Sequence, residues 1–526
     1  MSIPQKSQST TVFAGLHLKS ANASSPEMAE SLRSRFTLLP EEEIRFFHYY
    51  HHISHGDVFL FATNWALRFA FNEWTKAVQD YTIPLKNIVS YKKKKRTTKN
   101  GDLIVSIKTS TLSVVHVTFP KSADNLVEGF TKTIDGLIEN VLKLPTDVWV
   151  PDEKWLDRLA NDSQWDFINN DFCPTYPHIF LIPPTTNREL IIKVSEFRSR
   201  QRVPALSFVY PKNKAPLLRS AQPLTGFIGS SNPYDVKFFE AVRAGRKFAI
   251  IDCRPKLNAF ANQFTGGGYE SKSHYDDSTF KFLCIPNIHK VREYYLTMQY
   301  GFENGYDDPF KDWGALILQL IKGSALIISK LKKNIAVLVH CSDGWDRTAQ
   351  VSSIVQLIVD PYSRTFQGMK DLIQKDWIDA GHMFHMRCNY VPHSKLDESS
   401  PIFSQFIDAV YQLMVLNPTA FEFNECFLAF LNFHAYSQLF GDFDGQSFVE
   451  KSTMERAPSL WLCLEDEEFR LSMTNENFKD VNDLIKYDVK GYKFSARINL
   501  PPIFGGLSTT PLYPKNPEFW EKLMKK

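Results

Sequence analysis

The sequence predicts an α/β domain, a central sheet flanked by helices with extra helices toward its C-terminal end, preceded by a smaller β-rich domain. Three observations carry this. Between Arg35 and Val117, short runs of β-branched and aromatic residues alternate with turn signals. Beyond Pro151, apolar strand-like runs alternate with helical periodicity. From Phe403 onward the strong patterns are helical and highly apolar. The chain of 526 residues, 43% hydrophobic with a net charge of +3, is long enough for more than one core and excludes a disordered chain or a polycation.

Residues 1–30 are rich in Ser, Thr and Ala and read as a flexible tail. Strands are expected over Val58–Ala62, Ala66–Phe71, Ile83–Val89, Leu103–Ile107 and Leu112–Val117. A helix follows, because Val127, Phe130, Ile134, Leu137 and Val141 recur at spacings of three and four after a Ser122 cap. Strands closed by one C-terminal helix describe a pleckstrin-homology-like module, placed at 31–145, and Pro145 and Pro151 flank a linker into the second domain, 146–526. There, Phe248–Ile251, Phe280–Ile285 and Ile335–Val339 read as strands, and Trp313–Leu331, Thr348–Val359, Phe403–Leu416 and Phe427–Leu439 as helices. Trp313–Leu331 is interrupted by Gln319, Lys322 and Ser329 and suits a buried helix better than a membrane span. The start of the chain lacks the pattern of a secretory signal. The seven cysteines are dispersed without a C-x-x-C pair, which argues against a disulfide framework or a zinc site and for a reducing, cytoplasmic setting.

The chemistry is concentrated in Ile335-Ala-Val-Leu-Val-His-Cys-Ser-Asp-Gly-Trp-Asp-Arg-Thr-Ala-Gln350. A buried strand ends at His340, a loop runs from Cys341 to Arg347, and a helix starts near Thr348. Such a loop turns successive backbone amides and a helix N-terminus toward one point, a cradle for a phosphate dianion. The same potential stabilises a thiolate, which names Cys341 as nucleophile. Arg347 can hold two phosphoryl oxygens in its planar fork. Asp346 is the candidate acid for the leaving oxygen; Asp343 either orients the loop or a second group, or serves loop structure alone. No metal or cofactor is called for.

The loop His340–Gln350 resembles the signature of the myotubularin family of inositol-lipid phosphatases. Further motifs in the family's order are Phe197–Pro204, Ser220–Gly226, Asp252–Asn262, Gly266–Glu270, Pro286–His289 and Pro418–Asn424. The resemblance covers about residues 145–445, and the N-terminal module is similar in size and place to the family's PH-GRAM domain. It implies a cysteine-phosphatase-like fold and removal of the 3-phosphate from phosphatidylinositol 3-phosphate and the 3,5-bisphosphate through a phosphocysteine, with Cys341, Asp346 and Arg347 catalytic. Ser342, Asp343, Gly344 and Trp345 of the loop, with Asn262, Asn287, Ile288 and Arg387, match substrate-binding positions. Met383 stands where active members usually carry a cation, which points to a preference for the monophosphate.

The resemblance also implies peripheral, endosomal membrane contact and homo- or hetero-oligomers with family relatives, although no sustained heptads appear near the C-terminus. Lys92–Arg96, with Lys99, forms a basic hairpin tip that touches anionic lipid or is simply solvated; nucleic acid is not an expected partner. Phe46–His52 contains three histidines without regular ligand spacing and reads as strand or aromatic packing. Two alternatives stand beside the lipid phosphatase: a protein tyrosine or dual-specificity phosphatase, and a catalytically weak lipid-binding scaffold.

Overall fold

Alternating apolar residues fold the N-terminal region into two antiparallel sheets. The first has the order β1 (Ile44–His52), β2 (Gly56–Thr63), β3 (Ala66–Phe71) and β4 (Tyr81–Pro84); the second is β5 (Ile88–Lys94), β6 (Leu103–Thr109) and β7 (Val114–Phe119). The helix Asp124–Glu139 buries Val127, Phe130, Ile134 and Leu137 against a core that includes Leu60, Phe69, Ile107, Val117 and Phe119. The computed structural model describes residues 36, 38–52, 56–71, 81–94, 101–121, 123–148, 154–275, 277–304, 306–390, 398–445, 450, 455–479, 484–488 and 511–524.

The expected strand Ile83–Val89 is in fact two. Pro84 cannot donate to the ladder, so β4 stops there, a 3₁₀ turn occupies Leu85–Asn87, and β5 starts at Ile88. Leu112 has φ +66° in a turn, which delays the last strand to Val114. The helix begins without a side-chain cap, and Ser122 lies outside the described residues. His48 in β1 stacks on Phe119 at 4.3 Å between ring centres, which is core packing. Of the basic tip, Lys92–Lys94 close β5, and Lys95, Arg96 and Lys99 fall outside the described residues.

The larger region is organised by a five-stranded sheet in the order β11 (Ala205–Val209), β12 (Pro216–Ser220), β15 (Ala336–His340), β13 (Phe248–Asp252) and β14 (Ser278–Phe282). Only β11 runs antiparallel; the other four are parallel. Two small pairs lie outside it: the hairpin β9 (Asp166–Asn169) with β10 (Ile179–Ile182), and β8 (Asp147–Val148) with β16 (Glu455–Arg456). Phe248, Ile250, Ala336 and Leu338 face a core built with the helices Arg188–Ser195 and Pro233–Arg243. Ala249, Ile251, Val337 and Val339 face the opposite core, shared with the helices Lys311–Leu331, Arg347–Val359, Ile402–Leu416 and Glu425–Ser437. A parallel sheet covered on both faces in this way needs unbroken apolar runs. The Lys311–Leu331 helix, apolar and long enough to cross a membrane, packs in this core with Ile317, Leu320, Ile321 and Ile328 fully buried. In register, Ser220 and Asp252 both lie opposite His340, so β12, β15 and β13 end together and their following loops meet.

Candidate active site

The loop after β15 is fixed from its backbone outward. Gly344 takes φ +80°, and its amide points at the Cys341 sulfur, with N to Sγ 3.3 Å. The Arg347–Val359 helix starts immediately after, so its unpaired N-terminal amides face the same loop. Cys341 is 2% exposed. Arg347 is oriented by donating from Nη1 to the Ile285 carbonyl at 3.2 Å, from the loop after β14.

Buried cations grip the back of the loop. Arg219 Nη2 donates to the Gly344 carbonyl at 2.8 Å and Arg202 Nη2 to the same oxygen at 3.3 Å. Arg219 is itself held by Asp376 Oδ1 (3.0 Å), which sits in a π-helical turn, Gln374–Asp379, and Arg202 by the Ala380 carbonyl (2.7 Å) just beyond it. Trp345 is packed inward beneath the Arg202 guanidinium, 5.6 Å from the ring centre. On the other side Gln222 donates from its backbone to the Ser342 carbonyl (2.9 Å) and from Nε2 to Ser342 Oγ (3.2 Å). The Asn262 side chain hydrogen-bonds the same Oγ at 3.2 Å. Arg254, paired with Asp252 (2.8 Å), donates to Gln222 Oε1 and so ties β13 to β12 beneath the loop.

A buried chain of charge runs under β15. His340 Nε2 lies 3.0 Å from Glu270 Oε2, Glu270 accepts from Arg198 at 2.6 Å, and Arg198 pairs with Asp235 at 2.6 Å. Burial alone would push the Glu270 carboxyl up, but His340 and Arg198 outweigh it and hold it below the usual range. Glu270, with Asp252, in turn keeps the His340 imidazole above its usual value against the pull of burial. His340 directly precedes Cys341, so this buried chain ends beneath the loop.

Asp346 is held bidentate by Arg387, with Nε to Oδ1 3.0 Å and Nη2 to Oδ2 2.8 Å, and His382 Nδ1 lies 3.3 Å from Oδ1. Burial opposes its charge, yet Arg387 and His382 hold the carboxyl well below the usual range. Arg387 also donates from Nη1 to the Glu398 carbonyl at 3.0 Å. Asp343 is more open and accepts from Ser199 Oγ at 3.1 Å.

The fold therefore gathers Cys341 to Arg347, Asn262 and Arg387 around one point. Asn287 and Ile288 sit where the helix Ile288–Glu303 begins: the Asn287 side chain caps it by accepting from the Lys290 amide at 3.2 Å, and the Ile288 carbonyl accepts from Ser400 Oγ at 2.8 Å. Their observed contacts are thus structural. Sequence reasoning passed over Gln222, Arg202, Arg219, Arg254, Glu270, His340 and His382 as individual residues. The signal was present, since charged and amide residues recur inside otherwise apolar motifs.

A sequence model of the myotubularin-like phosphatase domain matches residues 150–452. Myotubularin of Xenopus laevis is 37% identical over 353 residues, 62% of this chain and 58% of that protein. The phosphatidylinositol-3,5-bisphosphate 3-phosphatase MTMR8 of Gallus gallus is 40% identical over 325 residues, covering 58% and 51%. MTMR2 of Gallus gallus, which carries the same enzyme name, is 36% identical over 348 residues, covering 61% and 59%. The chain spans somewhat more than half the length of these curated relatives. With its cysteine loop seated at the end of the central parallel strand and the family's domain matched over most of the larger region, this chain belongs to the myotubularin family.

Proposed function

We propose that the protein hydrolyses the 3-phosphate of phosphatidylinositol 3-phosphate, and of the 3,5-bisphosphate, through a phosphocysteine at Cys341. The observation that carries this is the loop itself: the Gly344 amide aimed at Cys341 Sγ from 3.3 Å, at the N-terminus of a 13-residue helix. The names of the relatives supply the substrate class. The Cys341 thiolate attacks phosphorus, the bond to the inositol 3-oxygen breaks, and that oxygen takes a proton from Asp346. Water then attacks the phosphocysteine, Asp346 recovers a proton, and inorganic phosphate leaves with the thiolate restored. Loop amides and Arg347 bind the equatorial oxygens throughout. Asp346 is ionised in the free protein, so its proton must come with the substrate: phosphate charge set beside the carboxylate competes for Arg387 and raises the carboxyl toward holding a proton.

A preference for the monophosphate goes with this. Met383 brings no charge where the family resemblance expects a cation, so a 5-phosphate lacks that contact; equal turnover of both lipids would count against it. The seven strands closed by a helix support reading 31–145 as a PH-GRAM-like domain and 146–526 as the phosphatase domain. The test is phosphate release from a panel of inositol lipids and phosphotyrosine peptides, with Cys341→Ser as control. Release from the 3-phosphorylated lipids by the parent and none by Cys341→Ser is expected. Release by Cys341→Ser, or by the parent from peptides alone, overturns the reading.

A further inference from the structure

The two loops that flank the candidate site carry a concentration of exposed apolar side chains. In the loop after β12, Leu224 is 41%, Phe227 69% and Ile228 88% exposed; after β13, Leu257 is 81%, Phe260 45% and Phe264 67% exposed. Leu257, Phe260 and Phe264 follow one another at spacings of three and four, through the helix Lys256–Ala261 and the 3₁₀ turn after it, so they share one side. The two loops form one surface: Phe227 and Phe264 rings lie 5.5 Å apart, Phe260 and Phe264 5.7 Å apart, and the Gly226 amide donates to the Gly267 carbonyl at 3.0 Å. Side chains this large are not left in water by packing requirements, since the cores of both loops are already filled by Thr225, Ala259 and the buried Gly267 and Gly268 backbone.

We propose that Leu224, Phe227, Ile228, Leu257, Phe260 and Phe264 form a membrane-docking face that enters the headgroup and upper acyl region of an anionic bilayer and brings the Cys341 loop to the lipid. This rests on the lipid-phosphatase reading above. Charge favours a bilayer as the occupant: from Ala221 to Tyr234 and from Pro255 to Tyr269 the sequence holds no Asp or Glu, and its single charged residue is Lys256. The carboxylates that bound these segments, Asp235 and Glu270, are turned inward and paired with Arg198. Position favours it as well, because the same loops contact the catalytic loop directly, through Gln222 and Asn262 to Ser342. A surface that both penetrates lipid and abuts the phosphate cradle presents a headgroup to Cys341 without lifting the lipid from its leaflet.

The test uses the full chain and the variants Ile228→Ser and Phe264→Ser, alone and together. Two substrates are compared: a water-soluble, short-chain phosphatidylinositol 3-phosphate, and the long-chain lipid in phosphatidylcholine–phosphatidylserine vesicles. The double variant should lose vesicle flotation and about tenfold or more in rate on vesicles, with unchanged kcat/KM on the soluble substrate. Unaltered flotation and vesicle turnover would overturn the proposal. So would a change in sedimentation that leaves vesicle binding intact, because that assigns the face to a second copy of the chain. If the parent fails on the soluble substrate, the phosphatase reading falls, while flotation of parent against variant still decides the docking face.

Discussion

Gly344 shows how little freedom the Cys341–Arg347 loop has. Its φ of +80° is strained for any L side chain, and a Cβ there would lie 2.3 Å from the Ser220 carbonyl oxygen, which is backbone of the neighbouring strand and cannot yield. Gly344→Ala should therefore displace the amide that faces Cys341 and destroy phosphatase activity, with a loss of thermal stability; a variant of normal kcat would show the loop to be adaptable. Arg387 offers a different test, because it acts on Asp346. Arg387→Met removes the main charge that keeps the Asp346 carboxyl low, so that carboxyl must rise, and the alkaline limb of kcat on a soluble substrate, which reports the complex in which Asp346 is protonated, should move to higher pH. It also leaves a buried carboxylate with only His382 beside it, which costs about 3 to 5 kcal/mol of stability. An unmoved limb in a folded Arg387→Met protein would remove Asp346 from the acid role.

At the scale of elements, apolar runs such as β13 and β15 are legible as strands in the sequence, whereas β12, which serves the site, is not. Ile335–Val339 is an apolar run ending at the cysteine, and β15 is found almost where it is expected. β12 lies beside it in the sheet, but it begins at Pro216 and contains Arg219 and Ser220, both buried. Arg219 is buried because it holds the Gly344 carbonyl, so the residue that makes β12 functional is what hides it as a strand. Asn287 marks the opposite limit: its type fits either a headgroup contact or a helix cap, and only the fold reveals the cap. Another polar group inside an apolar element has no such purpose visible at the site. Asp408, in the Ile402–Leu416 helix, accepts from Trp313 Nε1 at 2.7 Å and from Gln412 Nε2 at 3.0 Å, and burial pushes its carboxyl up to about 6. Its unfolded value is about 4, so the folded state holds the extra proton between the two; stability falls as pH rises from about 4 to 6 and stays lowered above that. Asp408→Asn should raise the stability at pH 7 by about 2 kcal/mol and flatten this part of the pH dependence. Gln412 Oε1, without a partner among the described residues, can accept from the new amide after a side-chain flip. Unchanged melting curves across this range would show that Asp408 is ionised at little cost.

At the scale of the whole molecule, the buried carboxylates Asp346, Glu270 and Asp376 are all held low by cationic partners, despite burial. Their contribution is complete above the ordinary carboxylate range, near pH 4, and is lost as pH falls through the lowered folded values, so acid unfolding should begin below about pH 4. A separate buried pair joins the N-terminal β-rich region to the rest. Trp65, in the turn between β2 and β3, belongs to the core of the larger region and meets Tyr513 at 5.7 Å between ring centres. Next to it Arg68 donates to Glu42 Oε1 at 2.8 Å and Oε2 at 2.6 Å, and to the Tyr513 hydroxyl at 2.6 Å. Arg68 is 1% exposed and Glu42 7%, so neither charge has recourse to water. Arg68→Leu leaves the Glu42 carboxylate buried without its cation and the Tyr513 hydroxyl without its donor, a loss of about 3 to 5 kcal/mol by the usual cost of halving a buried pair. Replacing both charges, Arg68→Leu with Glu42→Leu, removes the uncompensated carboxylate and should recover most of that stability. The measurement is thermal unfolding together with limited proteolysis across 141–153, between the Asp124–Glu139 helix and the larger region. Arg68→Leu should melt earlier and be cut faster there, with the double variant close to the parent; a single variant indistinguishable from the parent would show that Trp65 packing alone holds the two regions together.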